Sequence, residues 1–163
     1  MPATARANHG EREATITRTF DAPRALVFKM WTDPEHLAKW WGPRGFTNPT
    51  CEADVRPGGK IYIIMRGPPG TPYSDDYPMT GEFQEIVAPE KIVFTSFAID
   101  KDGNVLIEGH NTITFTEQGG KTTLTIKARA VARVAIGAQM IQGMEMGWTQ
   151  SIDKLEELVA QSR

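Results

Sequence analysis

The sequence predicts an α+β domain in which a curved, seven-stranded antiparallel sheet packs against one long C-terminal helix. From residue 46 to about residue 130, apolar and polar residues alternate in short runs separated by turns rich in glycine and proline, which is typical of strands. Two short helical patterns precede this region, and one long amphipathic pattern follows it. Because the strands are joined by short connections, they must be antiparallel.

The first predicted strand spans residues 14–20 (ATITRTF), and two short helices follow it directly. Pro23 suits the first turn of the first helix. Asp33 is expected to cap the second helix, with Pro34 at its first position. The two helices carry three of the four tryptophans: Trp31 is expected in the core, and at least one of Trp40 and Trp41 at the cavity or its entrance.

Six further strands are predicted in the central region. Their sequences are TCEADV, KIYIIMR, YPMTGEFQEIV, KIVFTSFAI, HNTITFTEQ and KTTLTIKARA. Most separators are short, but residues 67–76 form a proline-rich loop that is too long for a tight hairpin. This loop is a candidate gate, since long loops beside a rigid scaffold often serve a function.

The C-terminal segment, about residues 134–161, is predicted to be one helix. Its apolar stripe consists of Met140, Met144, Trp148, Ser151, Leu155 and Leu158. The flexible methionines tolerate variable packing partners. Gly143 and Gly147 each lower the stability of a helix by about 1 kcal/mol relative to alanine. Together these features indicate that the interior beneath the helix is loosely filled.

Composition excludes several functional classes. The chain has 163 residues, 40% hydrophobic and 23% charged, with a net charge of -2, so no nucleic-acid partner is expected. No apolar run reaches membrane-spanning length, so no membrane partner is expected either. Residues 1–13 lack the apolar core of a signal peptide and are expected to be a disordered leader before a single domain, residues 14–163. A lone cysteine, Cys51, fits the reducing cytoplasm and is expected to be buried and inert.

No motif for a metal, a cofactor or nucleophilic catalysis is present in the sequence. His9, His36 and His110 are scattered, without cysteine or carboxylate neighbours at metal-ligand spacing. His36 is expected on the surface, and His110 on the outer face of its strand. The prediction is therefore a protein with no metal site, no cofactor and no catalytic residues.

Four ordered segments carry a resemblance to a known family. They are APRALVFKMWTDPEHLAKWWGP, CEADVRPGGK, GEFQEIVAPEKIVFT and GMEMGWTQSIDKLEEL. Over residues 14–160 the chain resembles START-like (SRPBCC) proteins of the helix-grip fold, within them the homologues of the activator of the heat-shock protein 90 ATPase. The resemblance implies a cavity between sheet and helix, because relatives bind lipids, sterols or polyketides. Co-chaperone activity is not expected from the family name, since in the eukaryotic co-chaperone it depends largely on a separate N-terminal domain.

The expected function is the binding of a small, largely apolar molecule in that cavity, without catalysis. We expect walls formed by Met65, Phe83, Phe94, Met140, Met144 and Trp148. Trp40 and Phe46, with the loop 67–76, are expected near the mouth, and Asn111 is expected to orient the ligand.

Two alternatives remain open at this stage. A polyketide cyclase or aromatase would need a polar group aimed into the cavity. Inward candidates by strand and helix parity are Arg18, Glu85, Asn111 and Ser151, of which Arg18 and Glu85 could instead pair with each other. An interaction module related to stress-response co-chaperones is the other alternative. The solvated appearance of the threonine-rich strands favours a monomer or a modest homodimer.

Overall fold

One seven-stranded sheet dominates the computed structural model, which describes residues 8–162. Every neighbouring pair of strands is antiparallel, in the spatial order β1-β7-β6-β5-β4-β3-β2. The strands are β1 Gly10–Phe20, β2 Thr47–Ala53, β3 Lys60–Arg66, β4 Asp76–Val87, β5 Lys91–Ile99, β6 Val105–Gln118 and β7 Lys121–Ala132. The predicted fold class, with its curved sheet and helices, is confirmed.

Five strands extend beyond their predicted bounds: β1, β2, β4, β6 and β7. β1 starts at Gly10 rather than at residue 14, because β7 continues to Ala132 and offers backbone partners to the added residues. β6 likewise starts at Val105 rather than at His110, paired with Ile99 of β5. Residues 10–13 are therefore strand and not leader, while residues 1–7 of the predicted leader lie outside the described residues.

Two short helices follow β1, as predicted. They are α1, Arg24–Thr32, and α2, Pro34–Trp40. The Asp33 side chain accepts a hydrogen bond from the Glu35 backbone nitrogen at 3.0 Å, and Pro34 occupies the first turn of α2. The predicted cap is confirmed. Pro23 is the residue immediately before α1.

The C-terminal helical segment is interrupted, whereas the sequence predicts one continuous helix. It consists of α3, Ala135–Met140, a 3-10 turn, Ile141–Gly143, and α4, Met144–Ser162. At its start α3 approaches β6 closely: a Cβ atom on Gly137 would lie 2.3 Å from the Leu106 carbonyl oxygen. The weak helix former Gly143 lies within the 3-10 turn.

The main core lies between α4 and the concave face of the sheet. Ile152, Leu155 and Val159 of α4 are at most 2% exposed. They pack in one cluster with the inward residues of the central strands, including Phe94, Phe115 and Ile126. The buried face of α4 is therefore centred on Ile152 and Val159, which are not part of the predicted apolar stripe.

Candidate functional site

A cavity of about 290 Å³ lies between the concave face of the sheet and the interrupted C-terminal helical segment. It is partly open to solvent and almost entirely apolar. The residues lining it are Trp41, Gly42, Pro43, Ile63, Met65, Tyr77, Pro78, Met79, Ser96, Ala98, Ile107, Gly109, Asn111, Arg129, Ala130, Met140, Ile141, Met144, Gly147, Trp148 and Ser151.

The space exists because one transverse row of the sheet carries only small side chains. Gly81 pairs with Ser96, Ser96 with Gly109, and Gly109 with Ala130, so four adjacent strands contribute no large group. The next row holds Phe83, Phe94 and Asn111 in register. The cavity therefore begins where large side chains give way to small ones.

The helical wall comes from the segment that contains the 3-10 turn. Met140, Ile141 and Met144 face the cavity at this turn, and Gly147 and Trp148 follow in the first turns of α4. Unbranched methionine side chains adapt to partners of different shape. This wall can therefore accommodate ligands of more than one outline.

The mouth of the cavity is bordered by the segment that joins α2 to β2. The Lys154 ammonium donates to the carbonyl oxygens of Pro43, at 3.2 Å, and Trp41, at 3.5 Å, and so ties this segment to α4. Burial, and secondarily the nearby charge of Arg44, lowers the pKa of Lys154. Gln150 also accepts from the Arg44 backbone nitrogen, at 3.1 Å. These contacts hold the border of the mouth against the helix.

The four tryptophans form one aromatic cluster beside the cavity. Trp31 lies 4.6 Å from Trp40 and 6.1 Å from Trp148 between ring centroids, and Trp148 lies 5.5 Å from Trp41. Trp40 is fully buried, and its indole nitrogen donates to the Met30 carbonyl oxygen at 3.0 Å. Trp31 and Trp40 thus pack the short helices onto the core, while Trp41 and Trp148 line the cavity.

Five residues expected at the site line the cavity, and four lie elsewhere. Met65, Asn111, Met140, Met144 and Trp148 are in the wall. Trp40, Phe83 and Phe94 are instead packed in the core, each at most 2% exposed. Phe46 stacks obliquely on Tyr77 at 5.9 Å, outside the wall itself. Whether the five wall residues contact a ligand stays a prediction.

The loop expected to gate the cavity touches it only indirectly. None of the residues 67–76 lines the cavity, and the first wall residue after this loop is Tyr77. The Tyr77 hydroxyl donates to the Tyr73 carbonyl oxygen at 3.0 Å, so the loop is tied to a wall residue.

Two of the inward polar candidates do not reach the cavity. Arg18 pairs with Asp153 at 2.9 Å and Glu156 at 2.8 Å, both on α4. Glu85 follows a bulge in β4 that rotates its side chain outward, where it pairs with Lys91 at 3.4 Å. The suggested pairing of Arg18 with Glu85 is therefore wrong. Asn111 and Ser151 are buried and do line the cavity.

The single cysteine lies away from the wall. Cys51, on β2, is half-buried rather than fully buried, and burial raises the pKa of its thiol to about 11. A thiol with so high a pKa is almost entirely protonated at neutral pH and is a poor nucleophile.

Sequence reasoning missed the small residues that create the cavity: Ser96, Ala98, Gly109 and Ala130. Their signal is the coincidence of small side chains at inward positions of adjacent strands. That coincidence becomes visible only when the strand register is known, because a shift of one residue would send each side chain to the opposite face.

Two structural features are absent from residues 8–162. This part of the chain contains no helix that is both long and apolar enough to cross a membrane. It also contains no group of three or more His, Cys, Asp or Glu side chains placed to hold a metal ion.

Known structures share this architecture over nearly the whole chain. A crystal structure of a protein from Mycobacterium smegmatis is 28% identical, covers 90% of this chain and 89% of its own, and has a TM-score of 0.73. A solution NMR structure of a protein from Arthrobacter aurescens is also 28% identical, with coverages of 91% and 86% and a TM-score of 0.74. The AHSA1 protein of Silicibacter pomeroyi, at 24% identity, coverages of 93% and 100% and a TM-score of 0.75, shares the fold.

Sequence comparison identifies the family. No curated protein sequence matches the chain. The family model described as Activator of Hsp90 ATPase homolog 1-like protein matches residues 21–160. The chain therefore belongs to the Activator of Hsp90 ATPase homolog 1-like protein family, which lies within the START-like superfamily.

Proposed function

We propose that the protein binds a small, largely apolar molecule in the cavity between sheet and helix and performs no chemistry on it. The observation that carries this proposal is the row of small residues, Ser96, Gly109 and Ala130, which leaves about 290 Å³ unfilled beneath the interrupted C-terminal helical segment. Protein interiors are otherwise close-packed, so a space of this size within a core requires a reason.

The volume and the lining of the cavity limit the size and the chemical type of the ligand. An engineered cavity of about 150 Å³ lined by apolar side chains stays dry and binds benzene. The present cavity has roughly twice that volume and therefore suits a molecule of about two fused rings, or an aliphatic chain of similar bulk. The START-like fold commonly serves hydrophobic ligands, which supports the same proposal.

The scarcity of acid–base groups in the wall favours binding over catalysis. Of the described residues that line the cavity, none is His, Cys, Asp, Glu or Lys. Arg129 lies between the inward residues Ala128 and Ala130, and its guanidinium pairs with Glu11 at 3.0 Å on the other face of the sheet. A cyclase-like reaction would require a positioned general acid or base, and the one candidate of that kind in the described wall, the Tyr77 hydroxyl, donates its hydrogen to the Tyr73 carbonyl oxygen instead.

Native mass spectrometry of protein purified from its own host, followed by a thermal-shift screen of lipids, aromatics and polyketides, would test this proposal. A two-ring probe, 2-methylnaphthalene, should raise the melting temperature in a concentration-dependent way, since it binds only the folded state. The variants Ala130→Phe and Ala98→Phe each place a ring in the cavity and should abolish the shift.

A matched control variant is Ala160→Phe, which adds the same ring at an exposed position near the end of α4. It should keep the full thermal shift. An equal shift in the wild type and in both filled variants would show that the probe binds elsewhere and would contradict the proposal.

A further inference from the structure

Asn111 and Ser96 form a polar pair in the otherwise apolar wall of the cavity. Asn111 is only 5% exposed. Its side-chain nitrogen donates to the Phe94 carbonyl oxygen at 3.3 Å and to Ser96 Oγ at 3.0 Å. Buried polar groups are costly unless their hydrogen-bonding capacity is matched, so the unmatched part of this pair is informative.

The two hydrogen bonds fix the orientation of the Asn111 amide. A backbone carbonyl oxygen can only accept, so the atom that faces Phe94 must be the nitrogen. Both amide hydrogens are then used, one by Phe94 and one by Ser96. The amide oxygen, Oδ1, accepts no hydrogen bond from any residue that the structure describes. Asn111 therefore retains a free acceptor at the cavity wall.

The Ser96 hydroxyl supplies the complementary group. Its oxygen accepts from Asn111, while its own hydrogen has no acceptor within residues 8–162. Gly109 pairs with Ser96 across the strands and leaves room for the hydroxyl, because a Cβ atom there would lie 2.3 Å from Ser96 Oγ. One free acceptor and one free donor thus stand side by side.

The other hydroxyl groups in the wall have no spare donor. Ser151 donates to the Gly147 carbonyl oxygen at 2.9 Å, within its own helix. Tyr77 donates to the Tyr73 carbonyl oxygen. The Arg129 guanidinium pairs with Glu11, and the Lys154 ammonium donates to the Pro43 carbonyl oxygen. Among the hydroxyl and amide groups of the described wall, Asn111 and Ser96 are therefore the pair that offers a free acceptor beside a free donor.

We propose that the ligand carries one neutral hydroxyl group, as an alcohol or a phenol, which donates to Asn111 Oδ1 and accepts from Ser96. This inference rests on the proposed function and specifies the class of ligand. A hydroxyl group both donates and accepts, and so satisfies both free positions. A hydrocarbon leaves both unmatched, and a carboxylate places negative charge against the Asn111 oxygen without a facing cation.

Three probes with the same two-ring skeleton test the proposal by isothermal titration calorimetry near neutral pH. They are 2-naphthol, 2-methylnaphthalene and 2-naphthoate. We expect 2-naphthol to bind about tenfold more tightly than 2-methylnaphthalene, the effect of one matched hydrogen-bonding group in a buried site. The charged 2-naphthoate should bind more weakly than either.

Two variants assign the preference to the polar pair. Asn111→Leu removes the acceptor but leaves the Ser96 donor, so the ratio of the 2-naphthol to the 2-methylnaphthalene affinity should fall to about threefold. Ser96→Ala removes the donor to the ligand, and with it the acceptor of one Asn111 N–H, and should also lower the ratio to about threefold. Because each ratio compares two ligands on one protein, a general loss of stability does not alter it.

The matched control is Thr112→Val, which removes a hydroxyl from the residue next to Asn111 on the opposite face of β6. It should keep the tenfold ratio. Equal affinities for 2-naphthol and 2-methylnaphthalene in the wild type, or a ratio unchanged in both pair variants, would overturn the hydroxyl assignment and leave apolar binding intact. Failure of all three probes to bind would overturn the proposed function itself, and this inference with it.

Discussion

Trp40 and Trp148 belong to the same aromatic cluster, yet only Trp148 borders the cavity. Trp40 is 0% exposed, and its indole nitrogen is bonded to Met30. Trp148 is half-buried and stacks on Trp31 with one side toward the open space. Tryptophans close in sequence or space can therefore differ in role, and the difference depends on which ring faces are covered.

Truncating these two tryptophans should have different effects. Trp40→Ala should lower the free energy of unfolding by about 3–5 kcal/mol, because it removes a fully packed ring. Trp148→Ala should cost less, about 1–3 kcal/mol, because part of its surface already faces a cavity, but it should weaken the binding of 2-methylnaphthalene. Urea denaturation and probe titration would measure both quantities. Equal destabilisation by the two substitutions would show that Trp148 is packed core rather than wall.

Residue types alone could not separate wall from core. Strand alternation and helix periodicity give the direction of Met65, Met140 and Met144, which line the cavity. Phe83 and Phe94 also point inward, as predicted, but they lie in the row where α4 closes over the sheet. Alternation gives the face on which a residue lies and not its position along that face, which depends on the register of seven strands.

At the scale of elements, the C-terminal helical segment combines two tasks. α4 covers the core through Ile152, Leu155 and Val159, whereas the end of α3, the 3-10 turn and the first turns of α4 roof the cavity. The sequence predicts the amphipathic character of this segment, but the interruption is not evident from periodicity, because the segment still presents Ile141 and Met144 to the cavity. The close approach of Gly137 to β6, just before the turn, is likewise a tertiary contact that the sequence pattern does not reveal.

Two glycines in this segment should respond in opposite ways to alanine. A Cβ atom on Gly143 meets no atom within 4 Å, so Gly143→Ala should stabilise the protein by about 0.4–1 kcal/mol by restricting the unfolded chain. A Cβ atom on Gly137 would lie 2.3 Å from the Leu106 carbonyl oxygen, so Gly137→Ala should destabilise by about 1–3 kcal/mol. Thermal and urea unfolding would measure both. Similar effects at the two positions would refute the close packing of α3 on β6.

For the whole molecule, the fold is predictable from sequence to a greater extent than the site. Strand alternation, the Asp33 cap and the turn residues each act locally, so the element order follows from short stretches. The bounds of β1 and β6 do not, because Gly10 and Val105 are strand residues only through their partners Ala132 and Ile99. The cavity depends on contacts between residues that are still farther apart in the sequence, on four strands and the C-terminal helical segment.

Isotope-labelled methionine methyl groups provide the most direct measurement of ligand binding in this cavity. Met65, Met79, Met140 and Met144 line the wall, while Met30 is buried in the core and Met146 is 67% exposed to solvent. In NMR spectra of the protein with 2-methylnaphthalene, the proposed site predicts intermolecular nuclear Overhauser effects from the probe to the four wall methyl groups and to neither Met30 nor Met146. Overhauser effects to Met146 alone, or to none of the four wall methyl groups at saturating probe, would contradict the proposal that the cavity is the binding site.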